Sequence, residues 1–405
     1  MPKTTSARPL RIDAVDVAGL RVLTRVDYNV PLDGDGVITD DRRIDASLPT
    51  VRSVIDRGGR LVLMSHLGRP AGTGREPRLS LRPAAMRLGE MLPGVDVRFV
   101  DDCVGPAVEA AVAALPSGAV LVLENLRFHA GEKQGDETFA RGLARLGDVY
   151  CNDAFGTAHR AHASMLAVPT LMSGASHACG FLLDTELRYL AEAIDDAQTP
   201  FVAVLGGAKV SDKLGAIANL RDRVDSILVG GAMAYTFLRA RGDGVGSSRI
   251  EPDMLETAAE LLAGDGAGIV LPVDHVCGQS LAPGTPIKVT EGEIPAGWMG
   301  LDIGPATAAR FAAAVRDART VIWNGPMGVF EVPPFDAGTR IVAAGLAAAT
   351  AAGATTIVGG GDSAAAIEAF GLEDQVSHVS TGGGASLRVL EGRTLPALDA
   401  LDRAP

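Results

Sequence analysis

The chemistry in the first half of this chain is concentrated in four short stretches rich in arginine, histidine and small acidic or amide side chains. RVDYNVP (Arg25–Pro31) puts Asp27 and Asn29 on one face of an extended segment, because side chains alternate along a strand, and Arg42 and Arg43 follow in the next loop. SHLGRP (Ser65–Pro70) sets His66 beside Gly68 and Arg69. ENLRF (Glu124–Phe128) carries Arg127, and AFGTAHRAH (Ala154–His162) carries His159, Arg160 and His162. Guanidinium forks match the paired oxygens of phosphate and carboxylate, so arginines drawn from several segments specify a site for a small polyanion. One such arginine alone reads as an ordinary surface side chain; four clusters in succession favour the site. His159 and His162 have no partners at metal-ligand spacing.

The second half offers glycine, lysine and aspartate instead. In GGAKVSDK (Gly206–Lys213) the glycines let backbone approach a phosphate, and the helix start that follows favours anions. Lys209 and Lys213 are expected on one helix face, a costly pairing of like charges unless a polyanion lies beside them. GGGDS (Gly359–Ser363) opens a helix at Asp362, which reads either as an N-cap or as a carboxylate for Mg2+, an ion that takes one or two carboxylates plus nucleotide phosphates. STGGGAS (Ser380–Ser386) is a further glycine nest. WNGPMGVFE (Trp323–Glu331) supplies Asn324 and Glu331 for polar groups of a nucleotide, or else a turn and a surface glutamate. Neither G-x-x-x-x-G-K-[ST] nor G-x-G-x-x-G occurs, so a nucleotide site must be assembled from glycine turns on different strands.

Positioning these groups requires a regular frame. β-rich runs are expected at Arg21–Val30, Arg60–His66, Val95–Val100, Ala119–Asn125 and Asp148–Ala154, then at Phe201–Gly207, Ser226–Gly231, Gly268–Asp274, Thr320–Asn324, Thr355–Gly359 and Val376–Ser380. Helical patterns alternate with them, which indicates βαβ units and parallel sheets. Right-handed crossovers then bring the strand C-termini to one edge of each sheet, where open α/β sheets bind ligands. Asp184–Ala197 reads as a helix between two domains, Pro200 starts the second, and a last helix is expected from Leu387 to Ala400.

The bulk numbers agree with that frame. A length of 405 residues argues for two domains, and 49 glycines with only 4% aromatic residues suit parallel sheets under alanine-rich helices. Net charge is −12 with no basic stripe, which argues against nucleic acid and makes the arginine clusters more telling. Cys103, Cys151, Cys179 and Cys277 share no C-x-x-C spacing and read as small buried hydrophobes in a reducing compartment. Met1–Leu10 has no apolar core of a leader. Ile341–Gly361 is uncharged, but its Ala, Gly and Thr content reads as buried helix then strand rather than a membrane span.

With LDIGP (Leu301–Pro305), these motifs resemble in order, and over nearly the whole chain, the motif set of the phosphoglycerate kinase family. GGGDS alone is weak evidence; the set is specific. The resemblance implies two Rossmann-like domains, each a parallel sheet flanked by helices: 1–184 for 3-phosphoglycerate, 185–199 as interdomain helix, 200–386 for nucleotide, and 387–405 returning to the N-terminal domain. It implies reversible phosphoryl transfer between 1,3-bisphosphoglycerate and ADP, giving 3-phosphoglycerate and ATP in glycolysis, with Mg2+, domain closure and no general base. By motif position, Asp27, Tyr28, Asn29, Arg43, His66, Leu67, Gly68, Arg69, Arg127 and Arg160 match the family's substrate residues. Gly207, Ala208, Lys209, Lys213, Gly300, Asn324, Glu331, Gly360, Gly361, Asp362 and Ser363 match its nucleotide residues, with Glu331 at the ribose and Asp362 at the metal. Arg43, Lys209, Lys213, Gly382 and Gly383 match the groups around the transferring phosphoryl; Arg43, just before Ile44, is preferred to Arg42. Tyr28 stands where many members have Phe, and Val332-Pro333-Pro334 is a stiff stretch after Glu331. The resemblance and the absence of a leader pattern imply a cytoplasmic monomer with no membrane or nucleic-acid partner. The rival readings are a kinase for another carboxylic acid and a phosphate-ligand binding protein without catalysis; the arginine-rich site favours a phosphorylated acid.

Overall fold

The structure, a computed structural model, describes residues 8–404 other than 283, without the side chains of 191–193. Residues 1–7, most of the stretch read as lacking a leader, lie outside the described residues. The chain divides into two compact units, one running to Leu187 and taking in the stretch from Thr394, the other Arg188–Arg393.

The first unit is built on β1 (Arg21–Val26), β2 (Arg60–Met64), β3 (Val97–Phe99), β4 (Val120–Val122), β5 (Val149–Asp153) and β6 (His177–Cys179), ordered β3-β4-β2-β1-β5-β6. All pairings are parallel. β1 and β5 are buried along almost their whole length, as strands covered on both faces must be. Val22, Val51, Val54, Leu61, Leu63, Val120 and Val122 lie in one apolar cluster of this unit. The strand order changes direction between β1 and β5, which makes that edge the topological switch point. β6 has no counterpart among the expected strands: its three residues, His-Ala-Cys, carry no β-branched run. The stretch from Thr394 closes on it, His177 N–H donating to Asp402 Oδ2 at 2.8 Å and Asp402 N–H to His177 O at 2.9 Å.

The second unit has a parallel sheet of β7 (Phe201–Leu205), β8 (Ser226–Val229), β9 (Gly268–Val270), β13 (Thr320–Asn324), β14 (Thr355–Gly359) and β15 (His378–Val379), ordered β15-β14-β13-β7-β8-β9. Its switch point lies between β7 and β13. A three-stranded antiparallel sheet, β10 (Asp274–Gly278), β11 (Ile287–Glu291) and β12 (Met299–Ile303), adds what the expectation of parallel sheets alone did not contain. The expected strand Gly268–Asp274 is therefore corrected. It ends at Val270, Pro272 lacks the N–H to continue the ladder, and Asp274 begins the next sheet. Asp274 also accepts from Ala306 and Thr307 N–H, both at 2.8 Å, and so fixes the start of the helix Pro305–Arg316.

Two helical boundaries differ from expectation. The segment expected over 185–199 is helical from Phe181, passes through a π-helical turn at Arg188–Glu192 and stops at Asp195. The expected helix Leu387–Ala400 is two helices, Gly384–Leu390 and Pro396–Asp399, because Gly392 and Pro396 interrupt the pattern. Ile341–Gly361 divides between the helix Ala337–Ala351 and β14. Among the described residues, no helix is long and apolar enough to cross a membrane.

Tyr28 ties the exit of β1 to the core. Its side chain is fully enclosed, and its hydroxyl lies 2.8 Å from Ser47 Oγ, which spends its own proton on Ile44 O at 2.7 Å. The tyrosine hydroxyl is therefore the donor. Tyr28→Phe should lower unfolding free energy by about 1 kcal/mol, the net value of one hydrogen bond, read as a lower urea midpoint at unchanged slope.

Candidate active site

At the first edge, the loops leaving β1, β2, β4 and β5 meet around a hollow of about 360 Å3 lined by Asn29, His66, Gly68, Arg69, Arg127, Lys133 and Arg160. The loop after β2 is held by its neighbours. Gly68 N–H donates to Asn29 Oδ1 at 2.7 Å, and Gly68 O accepts from Arg127 Nη1 at 2.7 Å. Gly68 has φ +63°, a conformation that calls for glycine, and a Cβ there would also press on the tip of Leu79. Asn125 caps the turn Leu126–Phe128 by accepting from Arg127 N–H at 3.0 Å, and its Nδ2 donates to Leu67 O at 2.7 Å.

Arg127 is only 4% exposed, and its Nε and Nη2 are buried with no hydrogen-bond partner among the described residues. Burial, with Arg160 and Arg25 nearby, pushes its guanidinium down to about 10. Enclosed donors without acceptors beside like charges suit a bound oxyanion. Arg69 and Arg160 are exposed at the rim. Arg43 contacts Asp27 through Nη1 and Oδ2, while Asp27 Oδ1 is buried without a hydrogen-bond partner among the described residues, 3.8 Å from His66 Nδ1. Burial first, then the surrounding arginines, hold His66 well below the usual histidine range, so it is neutral near pH 7.

The sequence-matched residues thus fall into three groups. Asn29, His66, Gly68, Arg69, Arg127 and Arg160 converge on the hollow, Asp27 and Arg43 form an ion pair, and Tyr28 and Leu67 turn their side chains into the apolar cluster. Lys133, which sequence reasoning passed over, lines the same hollow and donates to Pro70 O at 3.2 Å. Its only sequence signal is a basic residue between two glycines in AGEKQG. In the sequence Arg25 reads as part of a strand, although a charged residue inside a buried strand is itself a signal.

At the second edge, the loops after β7 and β13 are laced together. Gly206 N–H donates to Asn324 O at 3.0 Å, and Gly207 N–H to Pro326 O at 3.1 Å. Lys213 Nζ contacts Asn324 Oδ1. An ammonium has no acceptor, so it fixes the amide with Nδ2 turned the other way, where it is buried without a hydrogen-bond partner among the described residues. The turn of Gly360 passes beside it: φ is +94°, and a Cβ would lie 3.2 Å from Asn324 Nδ2. Ser363 Oγ accepts from Gly325 N–H at 2.6 Å, joining the turn after β14 to the one after β13. Burial lowers the Lys213 ammonium from its ordinary value, with Asp212, Asp362 and Glu391 opposing.

The expected pairing of Lys209 and Lys213 on one helix face is corrected. The helix begins only at Leu214, with Lys213 as N-cap, and Lys209 is exposed in the irregular loop before it. That loop is held open because Ser211 N–H and Oγ donate to Glu251 at 3.1 and 2.6 Å. Gly207 is partly exposed and Ala208 exposed in the same loop. Gly361 and Asp362 are exposed in the first turn of Gly361–Ala369. Gly382 is buried and Gly383 precedes Gly384–Leu390. Gly300 lies in β12 with its N–H on Ser248 Oγ at 2.9 Å, and Glu331 is exposed in a turn. The exposed Asp362 carboxylate, with Lys213 near enough to feel its charge, is a donor suited to a hard cation that also takes phosphate oxygens. The one group of three metal-competent side chains among the described residues is elsewhere, Asp102, Cys103 and His129. There the His129–Asp102 pair closes at 2.8 Å and burial keeps the Cys103 thiol protonated.

Together these features define a protein of two Rossmann-like units, each with polar and charged groups gathered at its strand ends. The family model for phosphoglycerate kinase matches residues 12–393. The chain is 54% identical over 396 residues to the phosphoglycerate kinase of Rhodopirellula baltica, covering 97% of this chain and 99% of that one. It is 50% identical to that of Acaryochloris marina over 408 residues, the full length of both. Its fold superposes on the phosphoglycerate kinase structure from Coxiella burnetii with a TM-score of 0.87 at 38% identity, covering 97% and 98% of the two chains. For the Pyrococcus horikoshii enzyme the TM-score is 0.82 at 32% identity, with the same coverage. The chain belongs to the phosphoglycerate kinase family, and thereby to the kinases.

A pH dependence follows from the half-buried His162. Burial and the arginines push His162 down to about 4, against 6.5 in an unfolded chain. Between those values the unfolded state binds the proton that the folded state refuses, so stability rises with pH and is lost as pH falls through the window. The urea midpoint should drop between about pH 7 and about pH 5, and His162→Gln should narrow that drop.

Proposed function

We propose that this chain catalyses reversible transfer of a phosphoryl group between 1,3-bisphosphoglycerate and ADP, giving 3-phosphoglycerate and ATP, as a step of glycolysis. The convergence of Asn29, His66, Arg69, Arg127 and Arg160 on one hollow carries this reading. It supplies directional donors and fixed positive charge for a substrate with both a phosphate and a carboxylate. The glycine turns around Lys213 and Asn324 would hold ADP or ATP, with Gly207, Ala208, Lys209, Gly300, Glu331 and Gly360–Ser363 as its contacts.

The acceptor is a carboxylate, ionised below neutral pH with a pKa of roughly 3–4, so no side chain is needed to remove a proton. His66, neutral and enclosed, acts as a hydrogen-bond donor rather than a base. The residues position and neutralise instead. Arg43 on one unit and Lys213 on the other, with the backbone at Gly382 and Gly383, share the charge of the transferring group. Asp362 would hold Mg2+ together with nucleotide phosphates, and the ion would neutralise phosphate charge there. Since the two ligand sets belong to different units, turnover requires the units to approach and exclude water from the acyl phosphate. The protein works as a cytoplasmic monomer in this reading.

The purified chain should form an acyl phosphate from 3-phosphoglycerate and ATP, but not from acetate, and only with Mg2+ present. Turnover of acetate, or none of 3-phosphoglycerate, overturns the assignment. Lys213→Ala should lower kcat by about 100-fold or more, the cost of removing a donor aimed at developing charge, while circular dichroism and the urea midpoint show a folded protein. X-ray scattering in solution should record a smaller radius of gyration with both substrates bound than with either alone.

A further inference from the structure

Arg25 is the penultimate residue of β1 and its side chain is completely enclosed. Each nitrogen of its guanidinium is engaged. Nη1 donates to Val26 O, Nε to Ser164 Oγ at 3.0 Å, and Nη2 faces His66 Nδ1 at 3.1 Å. A guanidinium carries only donors. Nδ1 of His66 must therefore be the acceptor, which leaves the ring proton on Nε2. His66 itself lines the hollow with the arginines.

The aim of Arg25 is set one step further back. Ser164 has one hydroxyl proton and spends it on Glu132 Oε1 at 2.6 Å, so its oxygen has to accept from Arg25. Glu132, also fully enclosed, fixes the backbone of Ser164 as well, accepting its N–H through Oε2 at 3.0 Å. Tyr150 hydroxyl anchors the other side by donating to Ser164 O at 2.9 Å. Each contact in the series Glu132, Ser164, Arg25, His66 therefore has a single possible donor. Ser164 belongs to a π-helical turn, Ala163–Ala167, an irregularity often kept where a side chain must be aimed.

Resting on the phosphoglycerate reading of the first edge, we propose that Glu132 and Ser164 are positioning residues. They hold Arg25 against His66 and thereby fix the imidazole as a neutral ring that offers one Nε2–H to an oxygen of the anionic substrate. The charged and titratable groups facing His66 are Arg25, Arg43, Arg127, Arg160 and, at 3.8 Å, Asp27; His162 lies 3.8 Å from Glu132. Protonating Nδ1 would set an N–H against the Arg25 guanidinium. The arginines do not titrate in this range, so the hollow presents the same donors from mildly acid to mildly alkaline pH.

The test is the nitrogen-15 spectrum of His66 in the full-length protein without ligand, assigned with His66→Gln, combined with steady-state kinetics. The wild-type ring should show a protonated Nε2 and a bare Nδ1, unchanged between about pH 8 and about pH 5.5. Ser164→Ala and Glu132→Gln should give mixed tautomers or a ring that ionises in that range. In both, KM for 3-phosphoglycerate should rise about threefold to tenfold, the equivalent of one net hydrogen bond, with KM for ATP within about twofold. A wild-type ring protonated on Nδ1 or charged at neutral pH overturns the proposal. So do folded variants whose ring nitrogens are unchanged, or in which both KM values rise alike. Should Glu132→Gln fail to fold, the wild-type spectrum and Ser164→Ala decide. If the ring has the stated proton but 3-phosphoglycerate is not a substrate, the functional reading fails and the positioning chain stands.

Discussion

Enclosing a guanidinium is costly unless its nitrogens find acceptors, and the arrangement of the first unit follows from giving each nitrogen of Arg25 one. Among the described residues no carboxylate touches it directly. Its charge is answered by Glu132 through the hydroxyl of Ser164, so a short helix after β4 and a π-helical turn after β5 are tied to the end of β1. The loop after β2 is tied in by His66. Once those four exits are pinned, Arg127 and Arg160 have little freedom to move apart, and their mutual repulsion is built into the edge as an attraction for anions. The chain carries a net charge of −12, so this cluster is held against the average field of the protein by local geometry.

The second unit meets a lighter version of the same demand with backbone instead of charge. Its loops after β7, β13 and β14 are joined by Gly206 N–H to Asn324 O and by Gly325 N–H to Ser363 Oγ. Lys213 is drawn inward there, and its contact with Asn324 gives the amide a defined orientation. The contrast suits the two kinds of ligand inferred for them. A compact acid needs directional charge on several sides, whereas polyphosphate can be followed by exposed N–H groups.

Much of this was legible in the sequence because parallel sheets write their function at strand ends. RVDYNVP, SHLGRP, ENLRF and AFGTAHRAH each follow a buried strand, and six of their matched residues meet in one hollow. What was not legible depends on partners far away in sequence. Lys209 and Lys213 have helical spacing, yet Ser211 is captured by Glu251 and the helix starts after them. β6 is three residues with no strand signature, held by pairing to β5 and by Asp402. The antiparallel sheet falls outside the βαβ rhythm, and its β11 is mostly exposed. Tyr28 looks like a site residue from its neighbours, but the alternation that turns Asp27 and Asn29 outward turns its ring inward. Glu132 and Ser164 carry no motif signal, since their importance lies in which proton each has left to give.

The closing of β6 by Asp402 bears on how the chain is made. Leu10 N–H donates to Asp402 O and Ala404 N–H to Arg8 O, each at 2.8 Å, so one border of the first unit joins residues that are separated in sequence by the whole of the second. During synthesis the second unit has all of its residues before that border can form. The arginine loops, encoded earlier, therefore sit on a sheet whose margin at β6 stays unsealed until Asp402 and Ala404 have been made.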